Sequence, residues 1–243
     1  MRLLITRPEE DAKSLAKALE KHGHKTIIEN LMIIKDVTHL NINLKGVQAL
    51  LITSANGIRS LARAHKAKNI LICTVGDASA DAARDLGYKK VMSAAGNVEN
   101  LAKMIKKNLK PEDGPLVHIA GSNRAGELGK MLNADGFETR RIVLYKAKAV
   151  KELSPMTKAA LKNNEIDGVL FFSPRTVTLF CHFMKKAKLF EPFRRLNAYC
   201  LSSAVAQEAN VLPWSNIFVA EKPNSNSLLN TININCEKKS KIY

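Results

Sequence analysis

The sequence is poor in the features that mark metal, redox and membrane proteins. Its four cysteines among 243 residues form no C-x-x-C pair, so neither a structural zinc site nor a redox motif is indicated. Cys73, Cys181 and Cys200 lie in apolar runs, where we expect buried free thiols. No run reaches the roughly 18 apolar residues of a membrane span. Arg7 and Pro8 interrupt the first apolar run too early for a signal peptide, which predicts a cytoplasmic protein with no membrane partner.

The usual catalytic signatures are also missing. No G-x-G-x-x-G follows a predicted strand, and no G-x-S-x-G is present. The glycines at 121 and 126 have phosphate-loop spacing, but neither the Lys nor the Ser/Thr of that motif follows them. His22 and His24 have no acidic partners nearby and are interpreted as solvated, whereas His118, in an apolar strand, is interpreted as structural. No motif for binding a dinucleotide or a nucleoside phosphate is therefore indicated.

Acidic residues are few compared with basic ones. Lys and Arg number 38 against 22 Asp and Glu, which gives a formal net charge of +16 at pH 7. A protein of this charge favours nucleic acid, anionic lipid or an acidic small molecule. The lysines at 103–110 lie on a helix face, so much of the charge could equally be a solvated surface. Nucleic acid is disfavoured, because aromatics make up only 5% and mostly follow core spacing instead of alternating with basic residues.

Short apolar runs alternate with helical patterns along the chain. The predicted strands lie at 3–6, 49–53, 70–75, 116–119, 169–172 and 198–201, and each leads into an amphipathic stretch. Gly23, Gly87 and Gly136 each follow a helical stretch, where a C-cap glycine is expected. Apolar strands that alternate with helices predict an α/β fold with parallel sheets covered on both faces.

The two halves of the chain echo each other in a permuted order. Leu51-Ile52-Thr53-Ser54 matches Leu170-Phe171-Phe172-Ser173, and Leu15, Leu19 and Gly23 match Leu128, Leu132 and Gly136. The stretch 3–28 thus corresponds to 116–143, and 47–105 corresponds to 166–232. This order predicts two similar α/β domains, one inserted in the other. The outer domain would comprise 1–35 and 146–243 and the inserted domain 36–145, with chain crossings near 31–35 and 144–149.

Hydroxyl or small residues recur where predicted strands end. Thr53-Ser54, Ser173-Pro174 and Ser202-Ser203 each follow a strand, as do the stretches 75–79 and 120–124. In open α/β sheets the ligand crevice lies outside the carboxyl ends of the strands, and the free N–H groups of helix starts bind anions there. Helix capping alone would also explain each hydroxyl. Taken together, these ends predict a carboxylate-binding surface in a cleft.

These motifs together resemble uroporphyrinogen-III synthase. The match comprises an ordered set of short motifs that spans nearly the whole chain: Ile5-Thr6-Arg7-Pro8, Thr53-Ser54-Ala55-Asn56-Gly57, Val75-Gly76 with Ser79 and Gly87, Gly96-Asn97, Gly121 with Arg124, Tyr145 before Ala147, and Phe172-Ser173-Pro174 with Val177 and Phe180. The resemblance implies two α/β domains joined by a two-stranded linker. It also implies a monomeric enzyme of haem biosynthesis that needs no cofactor.

The resemblance further implies a substrate and a reaction. The substrate would be hydroxymethylbilane, a linear tetrapyrrole with acetate and propionate groups on every ring. The reaction would be loss of its terminal hydroxyl as water and ring closure with inversion of ring D. Tyr145 is the implied proton donor to the leaving hydroxyl. The predicted substrate-binding residues are Arg7, Thr53, Ser54, Ser79, Asn97, Gly121, Ser122, Arg124, Ser173, Pro174, Ser202 and Ser203.

The sequence departs from the family pattern near its C-terminal end. A stretch similar to Gly-Pro-Thr-Thr is often found where Ser202-Ser203-Ala204-Val205 stands here, so Ser203 would have to replace the missing threonine hydroxyl. The basic tail at 236–243 is predicted to be disordered. A non-enzymatic two-domain protein that binds an acidic small molecule is the alternative function, since it would share the architecture and the cleft.

Overall fold

A computed structural model describes residues 1–38, 42–66, 68–122 and 127–240. The strands are β1 (Arg2–Ile5), β2 (Lys25–Ile28), β3 (Met32–Asp36), β4 (Ala49–Ile52), β5 (Leu71–Thr74), β6 (Val91–Ser93), β7 (Leu116–Gly121), β8 (Thr139–Ala149), β9 (Gly168–Phe171), β10 (Asn197–Cys200) and β11 (Asn216–Val219). The α-helices are α1 (Glu9–Lys21), α2 (Ala55–Ala64), α3 (Asp77–Asp85), α4 (Val98–Asn108), α5 (Leu128–Ala134), α6 (Pro155–Lys162), α7 (Pro174–Lys186), α8 (Ser203–Ala209) and α9 (Ser225–Ser240).

The chain divides into two compact units. Unit 1 comprises Met1–Ile33 and Ala149–Tyr243, and unit 2 comprises Ile34–Lys148. The sequence-based boundaries were placed at 35/36 and 145/146, two or three residues away. The chain passes between the units in β3 and at the end of β8, and these two strands are neighbours in one sheet.

Each unit is built on its own sheet. The strand order is β11-β10-β9-β1-β2 in unit 1 and β3-β8-β7-β4-β5-β6 in the other sheet. When the second sheet is read in the reverse direction, the two strand orders match. The order β11-β10-β9-β1-β2 then corresponds to β6-β5-β4-β7-β8. The register of these neighbours is parallel throughout. This confirms the predicted fold class and the permuted order of the echoes.

Both faces of the sheets are covered by helices. Ala49–Ile52 and Gly168–Phe171 are buried at every position, as expected of central strands with helices on both sides. One face of unit 1 carries an aromatic cluster, in which the rings of Phe171, Phe180 and Phe193 surround Trp214 at centroid distances of 5.0–6.1 Å. The core spacing read from the sequence therefore holds for these rings, whereas Phe190 is exposed.

Several local expectations can be compared with the structure. The three predicted C-cap glycines have φ between 76° and 85°, a left-handed conformation that glycine adopts without steric cost. His24 is not solvated but buried, and its Nε2 lies 3.0 Å from Oδ1 of Asn233 on α9.

The predicted disorder of the tail is also wrong up to Ser240, where α9 ends. The last three residues lie outside the described part. Within the described ranges, no helix is long and apolar enough to cross a membrane.

Candidate active site

A cavity of about 810 Å³ lies in unit 2 beside the carboxyl ends of β4 and β7. Four of the predicted site residues line it, namely Thr53, Ser54, Gly121 and Tyr145. Thr53 and Ser54 directly follow β4, and Gly121 ends β7. The position agrees with the rule that ligands of α/β sheets bind outside the carboxyl ends of the strands.

A β-bulge places Tyr145 at this cavity. Along β7 and β8, Ala120 pairs with Val143 but Gly121 pairs with Tyr145, so that Leu144 is passed over. The carbonyl of Leu144 instead accepts a hydrogen bond of 2.8 Å from the Val37 N–H. A bulge of this kind redirects the following side chain, and the Tyr145 side chain lines the cavity, half-buried.

The absence of a side chain at Gly121 makes room for the Tyr145 ring. A Cβ atom at Gly121 would lie 2.8 Å from two carbons of that ring and 3.1 Å from its hydroxyl oxygen. The next residue, Ser122, is exposed and donates its backbone N–H to the Tyr145 carbonyl at 2.9 Å. Gly121 therefore leaves space for the Tyr145 ring, and Ser122 holds the Tyr145 backbone by a hydrogen bond. Arg124, predicted to bind substrate, lies outside the described residues.

His118 and Arg141 also line the cavity, although the sequence did not single them out as site residues. His118 Nε2 lies 3.3 Å from the Thr53 hydroxyl oxygen. Burial, followed by the charge of Arg141, lowers the pKa of His118 to about 4, so the imidazole is neutral at pH 7. The Arg141 guanidinium donates a hydrogen bond to the Gly121 carbonyl. Only the cross-strand register, in which His118 is opposite Arg141, brings these two residues together.

The other predicted residues of unit 2 have capping or buried positions. The Ser54 hydroxyl accepts the Asn56 N–H at 3.2 Å as the N-cap of α2. Asn97 caps α4 in a reciprocal pair with Asn100, with hydrogen bonds of 3.0 and 3.1 Å. Ser79 is buried in the first turn of α3 and is not among the residues that line the cavity. The capping alternative therefore describes Ser54 and Asn97 well.

In unit 1 the predicted residues follow three neighbouring strands. Arg7 lies beyond β1, with its guanidinium carbon 4.4 Å from the centroid of the Phe172 ring and Nη2 3.4 Å from an Asp11 carboxylate oxygen. Ser173 caps α7 by accepting the Thr176 N–H at 3.2 Å.

The remaining three predicted residues of unit 1 stand at helix starts. Pro174 is the first residue of α7, a position that suits its missing N–H. Ser202 is the N-cap of α8 but makes no side-chain capping bond, and Ser203 is exposed. The sheet thus brings Arg7, Ser173 and Ser202 to the same edge, since β1, β9 and β10 are adjacent.

The three buried cysteines do not supply a nucleophile. Cys73, Cys181 and Cys200 are buried free thiols, as expected, and burial raises the pKa of each to about 12. A thiol of that pKa is not a nucleophile at neutral pH. Among the described residues, no group of three or more His, Cys, Asp or Glu is placed to hold a metal ion.

Known proteins give a consistent match. The family model for uroporphyrinogen-III synthase HemD matches residues 13–230. The solved structure of uroporphyrinogen-III synthetase from Helicobacter pylori 26695 is similar, with a TM-score of 0.62 and 19% identity over 95% of this chain and 97% of that one. A mutant uroporphyrinogen III synthase from the extremely thermophilic bacterium Thermus thermophilus gives a TM-score of 0.55 and 16% identity over 98% and 99%.

At these identities the solved structures show a shared fold. None of the curated protein sequences matches this chain. The family model, however, covers most of the sequence, from within α1 to within α9, and includes all the strands of both sheets except β1. The chain therefore belongs to the uroporphyrinogen-III synthase family.

Proposed function

We propose that this protein is a lyase that converts hydroxymethylbilane to uroporphyrinogen III, with loss of water and inversion of ring D. The observation that carries the proposal is the family match over residues 13–230. The lining of the unit-2 cavity supports it, because it includes Arg141, a cation that forms no ion pair with a described carboxylate and so suits a carboxylate of the substrate.

Tyr145 is proposed as the group that assists departure of the terminal hydroxyl. Its half-buried side chain lines the same cavity as Thr53 and Ser54, where the phenol could donate a proton or hydrogen bond to that hydroxyl. A phenol is a weak acid at neutral pH, so its contribution would be auxiliary. Most of the rate would come from holding the chain in the fold that inverts ring D.

The remaining predicted residues are proposed to bind substrate, and all of them except Pro174, which has no N–H, would do so through hydroxyl or N–H donors to its carboxylates. Ser173 and Ser202 stand at helix starts, where unpaired backbone N–H groups favour anions. Each neutral hydrogen bond contributes about 1 kcal/mol, so single substitutions at these positions should be mild.

The decisive test is a product-isomer assay. Purified protein receives freshly made hydroxymethylbilane under anaerobic conditions, and the products are oxidised and separated by chromatography. Isomer III should form in proportion to protein, while heat-denatured protein should give only the uninverted isomer of spontaneous closure. Binding of the substrate without any isomer III would favour the non-enzymatic binding protein instead.

A further inference from the structure

We propose that Arg141 and His118 form a carboxylate subsite in the unit-2 cavity. Arg141 would supply the charge, and His118 would act as a positioning residue that turns the Thr53 hydroxyl toward the ligand. The inference rests on the proposed function, because the carboxylate would be an acetate or propionate arm of that substrate.

The sheet register places these side chains on one face. His118 on β7 is directly opposite Arg141 on β8 and Leu51 on β4. Opposite residues of parallel neighbours project to the same side, and the side chain two residues beyond Leu51 returns to it. That residue is Thr53, whose hydroxyl oxygen lies 3.3 Å from His118 Nε2. His118 therefore lies between Arg141 on one neighbouring strand and Thr53, which follows the other.

Arg141 differs from the other cations that line the cavity. Arg140 lies 2.7 Å from a carboxylate oxygen of Glu138, and Lys130 lies 2.6 Å from one of Glu127. Arg141 donates to a backbone carbonyl and, among the residues that the structure describes, forms no ion pair with a carboxylate. A guanidinium has five N–H donors in a planar fork, so donors remain for a bidentate carboxylate.

His118 is suited to orient a hydroxyl because it carries no charge. A neutral imidazole has one donor and one acceptor nitrogen. With its hydrogen on Nε2, His118 donates to the Thr53 oxygen and leaves the hydroxyl hydrogen free for the ligand. Such a chain of hydrogen bonds polarises each member, which strengthens the last bond. Among the described residues, the charged groups that line the same cavity are Glu127, Lys130, Arg140 and Arg141.

Binding of a small probe tests the subsite without turnover. The probe is a pyrrole with one acetate and one propionate arm, and its dimethyl ester is the uncharged control. Titration is followed by the imidazole signals of His118 in ¹H–¹³C NMR spectra. We expect a saturable shift with the diacid and none with the ester. Arg141→Gln should weaken binding about tenfold to hundredfold, the range for a hydrogen bond to a charged group.

Matched variants separate the subsite from general electrostatics and from folding. Arg84→Gln removes an equal charge from an exposed pair with Asp81 on α3 and should bind the probe as the wild type does. His118→Leu should weaken binding several-fold, while His118→Gln, whose amide can donate to Thr53, should restore most of it. For the two His118 variants the reporter is the Thr53 methyl signal. Thermal unfolding of each variant shows that the comparison is between folded proteins.

The outcomes distinguish this inference from the proposed function. Equal probe affinities for Arg141→Gln and Arg84→Gln would overturn the subsite, even if the wild type forms isomer III. Equal affinities for His118→Leu and His118→Gln would overturn the positioning role. An Arg141-dependent probe site in a protein that forms no isomer III would support the subsite and refute the function.

Discussion

At the scale of single residues, the position of Tyr145 depends on its neighbours more than on its own chemistry. The bulge at Leu144 aims the side chain, and Gly121 leaves the space that the ring fills. A residue that only packed would need the ring but not the hydroxyl. The phenol oxygen is therefore the atom whose role is worth testing.

Tyr145→Phe keeps the ring and removes that oxygen. If the phenol assists departure of water, kcat should fall by about one to two orders of magnitude, near the low end for general acid catalysis. The free energy of unfolding should change by no more than about 1 kcal/mol, the net value of one hydrogen bond. Steady-state kinetics and thermal unfolding measure both. Normal turnover by Tyr145→Phe, together with an unfolded Tyr145→Ala, would make the residue structural.

His118 should titrate far below an ordinary histidine. Burial and the Arg141 charge hold its pKa at about 4, against 6.5 for the free side chain, so NMR titration of the imidazole should show a midpoint near 4. Between these pH values the unfolded chain binds a proton that the folded protein does not. The contribution of neutral His118 to the free energy of unfolding is therefore fully present above pH 6.5, and it is lost as the pH falls toward 4.

The pH dependence of unfolding provides the check on that interpretation. His118→Gln cannot titrate, so its free energy of unfolding should fall less steeply than that of the wild type between pH 6.5 and 4. Parallel curves for the two proteins would show that His118 is solvated in the folded state, which contradicts its position in the structure.

The sequence predicted some of the residues that line the unit-2 cavity and missed others, and the difference has a physical reason. Thr53, Ser54 and Tyr145 were found because a strand end or a motif marks them locally. His118 was interpreted as structural and Arg141 was not considered, because 23 residues separate them and only the pairing of β7 with β8 makes them neighbours. Register between strands is a tertiary property, so a local pattern cannot supply it.

At the scale of elements, the recurring hydroxyls have a structural role before any binding role. Ser54 and Ser173 each accept a backbone N–H from the first turn of the helix that they cap. Ser202 occupies the same position on α8 without such a bond. Because a cap uses the oxygen lone pairs, the hydroxyl hydrogen of Ser54 remains available to a ligand, whereas the Ser173 hydroxyl also lies 3.2 Å from the Thr176 hydroxyl. Capping and binding are therefore compatible, and substitution can separate them.

Substitutions at Ser54 should dissociate stability from substrate binding. Ser54→Ala should lower the free energy of unfolding by about 1 kcal/mol, the usual value of an N-cap. Ser54→Asp retains a good cap and should preserve stability, but its negative charge in the cavity that is proposed to bind an anionic substrate should raise KM. Denaturant unfolding and steady-state kinetics report the two effects.

Ser202→Ala is the matched control for the cap. Because Ser202 makes no side-chain capping bond, this change should alter stability by less than about 0.5 kcal/mol, the small end of the range for the loss of a cap. A loss as large as that of Ser54→Ala would show that Ser202 caps α8 in solution. An unchanged KM for Ser54→Asp would place Ser54 outside the binding surface.

The long strand β8 could not have been predicted in full from its sequence. The local pattern indicates a short run at 141–143, whereas the strand extends over Thr139–Ala149. The extension pairs with β3 and carries the bulge, and neither partner nor bulge leaves a periodic signal. The element that aims the proposed proton donor is thus the one that depends most on its tertiary partners.

At the scale of the whole molecule, the topology was accessible because it repeats. The echoes between 3–28 and 116–143, and between 47–105 and 166–232, predicted matching strand orders, and both sheets have them. Comparison of the two halves predicted the strand order, which local patterns cannot do. Each strand-helix unit buries its apolar face only against neighbouring units, so a repeated series of units implies a repeated arrangement. The basic tail had no counterpart in the other half, and its helical extent to Ser240 was missed.

The net charge of +16 should act on substrate capture and not on the chemical step. A polycarboxylate approaching such a protein is attracted over a distance set by salt, since the Debye length falls from about 10 Å at 0.1 M to about 3 Å at 1 M. Raising the salt concentration should therefore increase KM several-fold, while kcat, measured with bound substrate, stays nearly constant.

Sucrose of matched osmolality controls for general solvent effects. A kcat that falls as steeply as kcat/KM would mean that salt disrupts the folded site. A KM that does not change would mean that the lysines on the helix faces only solvate the surface.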